Sequence, residues 1–128
     1  ALSARIGHED FISSLAFNHD ETIVATSAGA TMNDEFTPFI FLWDPEDGSL
    51  IRNIQLEETP AISLAYSPDD TLLASAGSGL FLWNTEAGSK VVSLAPKDQR
   101  YLSVLFSNNG SSLAAASETE IQIFKVQP

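Results

Sequence analysis

Residues 61–76 read Ala61-Ile62-Ser63-Leu64-Ala65-Tyr66-Ser67-Pro68-Asp69-Asp70-Thr71-Leu72-Leu73-Ala74-Ser75-Ala76. An apolar run ends on an aromatic, a turn of Ser, Pro and Asp follows, and a second run of Leu, Ala and Ser leaves the turn. That is the composition of a β-hairpin. The same order of residue types returns at 12–27 and at 101–116, so Phe17, Tyr66 and Phe106 are equivalent. Tyr66 and Phe106 are 40 residues apart and Phe17 and Tyr66 are 49 apart. The nine extra residues lie between Ser27 and Phe39, as an insertion in the first unit. Self-similarity at this period marks a repeat architecture.

Each unit continues in the same way. A third apolar segment follows the hairpin: 39–43 ending in Trp43, 80–83 ending in Trp83, and 121–124 ending in Phe124. Turn residues come next at 44–48 and 84–88, and a fourth segment at 49–55 and 89–94. The four segments of a unit are called a, b, c and d below. The Ala and Ser residues of segment b let neighbouring sheets approach closely. Nothing carries a helical period over a useful length. The chain therefore reads as all-β.

These features together resemble the WD-repeat family of β-propellers. Gly7-His8 resembles the family's Gly-His, and Trp43-Asp44 its Trp-Asp. Ser67-Pro68-Asp69-Asp70 with Leu72-Leu73-Ala74-Ser75 resembles its first turn and second strand. The later units depart from the pattern. Leu56-Glu57 and Pro96-Lys97 stand at the Gly-His position, and Trp83-Asn84 and Phe124-Lys125 at the Trp-Asp position. The resemblance implies a buried hydrogen-bonded tetrad in the first unit only, from His8, Ser27 and Trp43. Asp34, inside the insertion, is the open fourth member.

The resemblance also implies a fold of three four-stranded antiparallel propeller blades. Residues 1–6 then form an orphan strand d. The first repeat covers 7–55 with its insertion at 28–38, the second 56–94, and the third 95–128, lacking strand d. Three blades do not close a ring, which takes about 4–8. The arc is expected to be part of a larger or oligomeric propeller. Either two chains make a homo-oligomer, a six-bladed dimer, or the remaining blades of a longer propeller complete it. The opening residue, Ala1 rather than Met, favours a piece; the complementary loose ends favour self-association.

Charge and composition narrow the function. The 128 residues carry 6 Lys+Arg against 17 Asp+Glu, a net charge of -11, with no cysteine. Phosphate-rich partners are repelled, so neither nucleic acid nor an anionic membrane is expected. Disulfides, thiolate zinc sites and cysteine nucleophiles are excluded. No run approaches the ~18 apolar residues of a helical membrane span. Residues 1–58 hold 11 acidic and 2 basic residues, against 6 and 4 in 59–128. Such a field attracts a basic partner. His8 and His19 have no metal-ligand spacing, and no Gly-x-Ser-x-Gly elbow or phosphate-cradling loop occurs. No catalytic residue, cofactor or metal is expected.

The expected function is a non-catalytic scaffold that binds a protein or peptide on the loops joining d to a and b to c. Phe11, Met32, Asp34, Glu35, Phe36 and Arg100 are the candidate contacts, because aromatic and Arg residues anchor interfaces. His8, Ser27, Trp43, Asp44 and Trp83 are the candidate structural residues. The alternative is a purely structural ring-forming module. The family resemblance implies a cytoplasmic or nuclear location.

Overall fold

The computed structural model describes residues 1–2, 4–32, 34–57 and 59–126; the side chains of Met32 and Lys97 also lie outside the described residues. Ten strands and no helix make up the described chain. The first sheet contains β1 (Ile12–Phe17), β2 (Val24–Met32), β3 (Glu35–Trp43) and β4 (Leu50–Gln55), hydrogen-bonded in sequence order and antiparallel throughout. The second contains β5 (Ser63–Tyr66), β6 (Leu73–Asn84) and β7 (Ser89–Arg100). The third contains β8 (Ser103–Phe106), β9 (Ser112–Ala116) and β10 (Ile121–Lys125).

The second sheet has three strands by continuity but four ribs by geometry. Trp83 Nε1 donates to Ser75 Oγ at 2.9 Å. Eight residues of extended strand would separate these groups by about 26 Å, so β6 doubles back between them. The reversal falls at Gly77-Ser78-Gly79, where Gly79 has φ of +89°. A Cβ there would lie 2.8 Å from the Phe81 ring and 3.2 Å from the Ala95 carbonyl oxygen. One arm of β6 pairs with β5 and the other with β7.

Two expectations change. The insertion at 28–38 is not a loop. β2 and β3 stay in register from Val24↔Trp43 out to Met32↔Glu35, so the extra residues lengthen a hairpin. The described residues among 2–6 belong to no strand. A strand needs a hydrogen-bonding neighbour, and the edge that would accept this one, β10, belongs to the third sheet at the far end of the arc.

The turns between the first two strands of each sheet are copies of one another. Asn18, Ser67 and Ser107 accept a backbone N–H five residues on, from Ile23, Leu72 and Ser112. Asp20, Asp69 and Asn109 each accept the N–H two residues on. Glu21, Asp70 and Gly110 then take the left-handed conformation, with φ of 63°, 63° and 76°.

The core is a pair of layers between stacked sheets. Ile40, Leu42 and Ile54 of the first sheet meet Leu64, Tyr66, Leu73 and Trp83 of the second. Leu80 and Leu82 meet Tyr101, Val104 and Leu113 of the third. Ala25, Ala74 and Ala115 are almost wholly buried, the close approach that the small residues allow. The innermost strands β1, β5 and β8 are neighbours. Ser13 Oγ donates to the Ala61 carbonyl at 2.7 Å, and the Val104 N–H donates to Ser63 Oγ at 3.1 Å.

Candidate interaction surfaces

The Gly7-His8 segment builds a relay on the outer face of the first sheet. Trp43 Nε1 donates to Thr26 Oγ1 at 3.0 Å, and His8 Nε2 lies 2.9 Å from the same oxygen. With the oxygen accepting from the indole, the Thr26 hydrogen is available to His8 Nε2. The imidazole stands edge-on to Trp43 and Phe41, at centroid separations of 5.2 and 5.8 Å. Burial holds its pKa below the usual histidine value, with the Ile6 backbone opposing. His8 Nδ1 has no hydrogen-bond partner among the described residues.

The hydroxyl in this relay is that of Thr26, not Ser27. Ser27 is fully buried and its Oγ has no hydrogen-bond partner among the described residues. The repeat already carried the signal: aligned on Phe17 and Tyr66, Thr26 stands opposite Ser75, which bonds Trp83. Asp34 is not in the relay. It sits at the tip of the β2–β3 hairpin with φ of 64°. Asp44 shapes a turn, accepting the Glu46 N–H on Oδ1 and the Gly48 N–H on its carbonyl. Asn84 shapes the corresponding turn of the second sheet, accepting the Ala87 N–H on Oδ1 and the Gly88 N–H on its carbonyl.

The candidate contacts divide between sheets. Phe11 precedes Ile12, which pairs with Ala28 at the base of the extended hairpin; Asp34, Glu35 and Phe36 lie at its tip. Phe11, Glu35 and Phe36 are exposed. The Phe36 ring nonetheless covers Gly29, where a Cβ would collide with it. Thr31 N–H donates to Glu9 at 3.4 Å, joining the hairpin to the segment that carries His8. Arg100 is exposed in the second sheet, opposite Ser78. The Met32 side chain lies outside the described residues.

Exposed apolar side chains also cluster outside the candidate contacts. Phe17 is 52% exposed, whereas its equivalent Tyr66 is 4% exposed. Ile123 is 63% exposed, whereas its equivalent Leu82 is 4% exposed. Leu15 and Ile12 accompany Phe17 on the first sheet; Leu105 and Ile121 accompany Ile123 on the third. These side chains have the character of an inter-sheet layer, but among the described residues no sheet packs against them. Among the described residues, no three His, Cys, Asp or Glu side chains are grouped to hold a metal. No helix of the described residues is long and apolar enough to cross a membrane.

Comparison with known proteins agrees with this geometry. The family model for the WD domain, G-beta repeat, matches residues 2–33. WD repeat-containing protein 90 of Xenopus tropicalis is 32% identical over 72 residues, and that of Homo sapiens 34% over 71. Each match takes in 56% of this chain and 4% of the relative. Among solved structures, the RRP9 WD40 repeats and U3-55K superpose with TM-scores of 0.78 and 0.79 at 17% identity, over 94% of this chain and 37% of theirs. The repeat, the three stacked sheets and these matches define an all-β propeller architecture. Residues 2–33 match the WD repeat, and the fold of the chain is the one that solved WD40 propellers share.

Proposed function

We propose that this chain is a propeller segment that scaffolds protein assembly, and that its two end faces pack against further blades of the same kind. One observation carries the reading. The first sheet's outer face and the third sheet's outer face bear the residues that, in equivalent positions of the second sheet, are buried between blades. Contiguous apolar surface of this kind is an association surface. The chain spans 37% of the length of the solved propellers, which supports a ring completed by blades beyond these three. A single segment with residues 1–128 as three repeats, in a cytoplasmic or nuclear setting, fits the same reading.

Light scattering on the chain alone tests it. The expected result is a mass above 13.8 kDa, falling toward that value in Leu15→Glu and in Ile123→Glu. A monomeric wild type that binds no apolar dye would overturn the proposal.

A second reading concerns the extended hairpin. Asp34 and Glu35 at its tip, with Phe36 and Phe11 exposed nearby, suit a basic peptide, and Arg100 on the second sheet supplies a further contact. Asp34→Asn with Glu35→Gln removes the charge while Asn still tolerates the positive φ. Affinity for a lysine-rich peptide should fall several-fold, and less so at high salt. Equal affinity at low salt would remove the hairpin from the site.

A further inference from the structure

The second sheet repeats the wall on which His8 rests, but not the histidine. Thr26, Phe41 and Trp43 recur as Ser75, Phe81 and Trp83, and both indoles donate to the hydroxyl of their own sheet. His8 lies nine residues before Phe17; nine residues before Tyr66 stands Glu57. The Glu57 side chain is largely exposed, with its carboxylate 3.8 Å from Lys90 Nζ, and the buried Leu56 beside it packs with Trp83. A cavity remains, with Ser75, Phe81, Trp83 and Pro60 among its lining and Glu57 and Lys90 also at its wall. Gly77 and Gly79 also line it.

We propose that this cavity receives an imidazole ring in trans, the histidine side chain of a bound peptide. The first sheet shows the seat already filled in cis. There an imidazole packs edge-on against the two aromatic rings while its Nε2 meets the hydroxyl that the indole has engaged. In the second sheet the Ser75 oxygen likewise accepts from Trp83, which leaves its hydrogen to donate to an entering ring nitrogen. Phe81 and Trp83 provide the edge-to-face surface that aromatic groups favour. Lys90 Nζ lies 5.2 Å from the Phe81 ring centroid, on the same side chain that borders the cavity. The carboxylate of Glu57 and the chain's charge of -11 favour positive residues flanking that histidine. This site does not depend on ring completion, because the segment and sheet that form it are both in the chain.

The test follows the indole N–H resonances of the full ¹⁵N-labelled chain at pH 7.5. The two tryptophans give two signals, and Trp43→Phe identifies that of Trp83. The probes are imidazole, the peptide Ac-Lys-Gly-His-Gly-amide and its His-to-Ala counterpart, with phenol as a ring lacking the acceptor nitrogen. The expected result is a saturable shift of the Trp83 signal by imidazole and the histidine peptide, at least tenfold weaker with the alanine peptide. Ser75→Ala should weaken it several-fold. Glu57→His should place an imidazole in cis and abolish it, and this arm stands even where Ser75→Ala fails to fold. An unmoved Trp83 signal overturns the proposal. So does phenol acting as strongly as imidazole, or undiminished peptide binding by Glu57→His.

Discussion

Tyr66 carries a hydroxyl where its two repeat-equivalents, Phe17 and Phe106, carry none. The ring is buried in the first inter-sheet layer, and the hydroxyl makes no hydrogen bond of full geometry among the described residues, with the Thr85 side chain only partly offsetting its burial. Burial pushes its pKa up to about 12. A buried unsatisfied hydroxyl costs about 1–3 kcal/mol. Tyr66→Phe is therefore expected to raise stability by about 1 kcal/mol in urea unfolding at pH 7, and a loss of similar size would show that the hydroxyl is satisfied. The neutral phenol is favoured in the fold, so its contribution is intact below pH 10 and lost as pH rises from 10 toward 12. Tyr66→Phe should remove that alkaline decline. Residue-level roles were the least legible part of the sequence. The relay residue was read as Ser27, one place from Thr26. A strand turns each successive side chain to the opposite face, so a one-residue error in register puts the hydroxyl on the wrong side of the sheet.

At the scale of elements, the repeated turns show where the sequence was explicit. Polar residues at 18–22, 67–71 and 107–111 predict hairpins, and side-chain acceptors two and five residues before their donors build them. The three turns differ at the left-handed position. Gly110 adopts positive φ freely, Glu21 does so under strain, and Asp70 gains something in return. Its carboxylate accepts the His19 and Asp20 N–H groups at 2.6 and 3.1 Å, so it ties the first sheet's turn to the second's. Sequence gives no sign that two turns about 50 residues apart touch. Left-handed backbone costs a side-chain-bearing residue about 1–2 kcal/mol, and the flexibility of glycine returns part of that. Glu21→Gly should then stabilise by about 0.5–1 kcal/mol in thermal unfolding, with no change in fold. Destabilisation would mean that the Glu21 side chain makes a contact worth more than the strain. The hairpin at 28–38 was less legible. Ala28, Gly29 and Ala30 lack the β-branched signature of a strand, and the Phe36 ring over Gly29 supplies the packing that their own side chains do not.

For the whole molecule, the repeat period made the stacked sheets legible, whereas the fate of the two ends depends on surfaces that composition treats as ordinary core. The middle sheet is packed on both faces, by the first sheet through Leu64, Tyr66, Leu73 and Trp83 and by the third through Leu80 and Leu82. Each terminal sheet is packed on one face. The third sheet ends on β10, which pairs with β9 among the described residues and leaves Ile121 and Ile123 exposed. Local opening costs least where few apolar contacts are broken. Amide hydrogen exchange should therefore rank the first arm of β6 as the most protected segment and β10 as the least protected strand. The ranking also separates a stable arc from a propeller piece that needs company. Mixed with blades that cover the third sheet, Ile121 and Ile123 would lose their solvent, and protection there should rise by at least tenfold while β6 changes little. Protection of β10 equal to that of β6 in a monomeric chain would mean that the edge is already satisfied, and the end face would then need no partner.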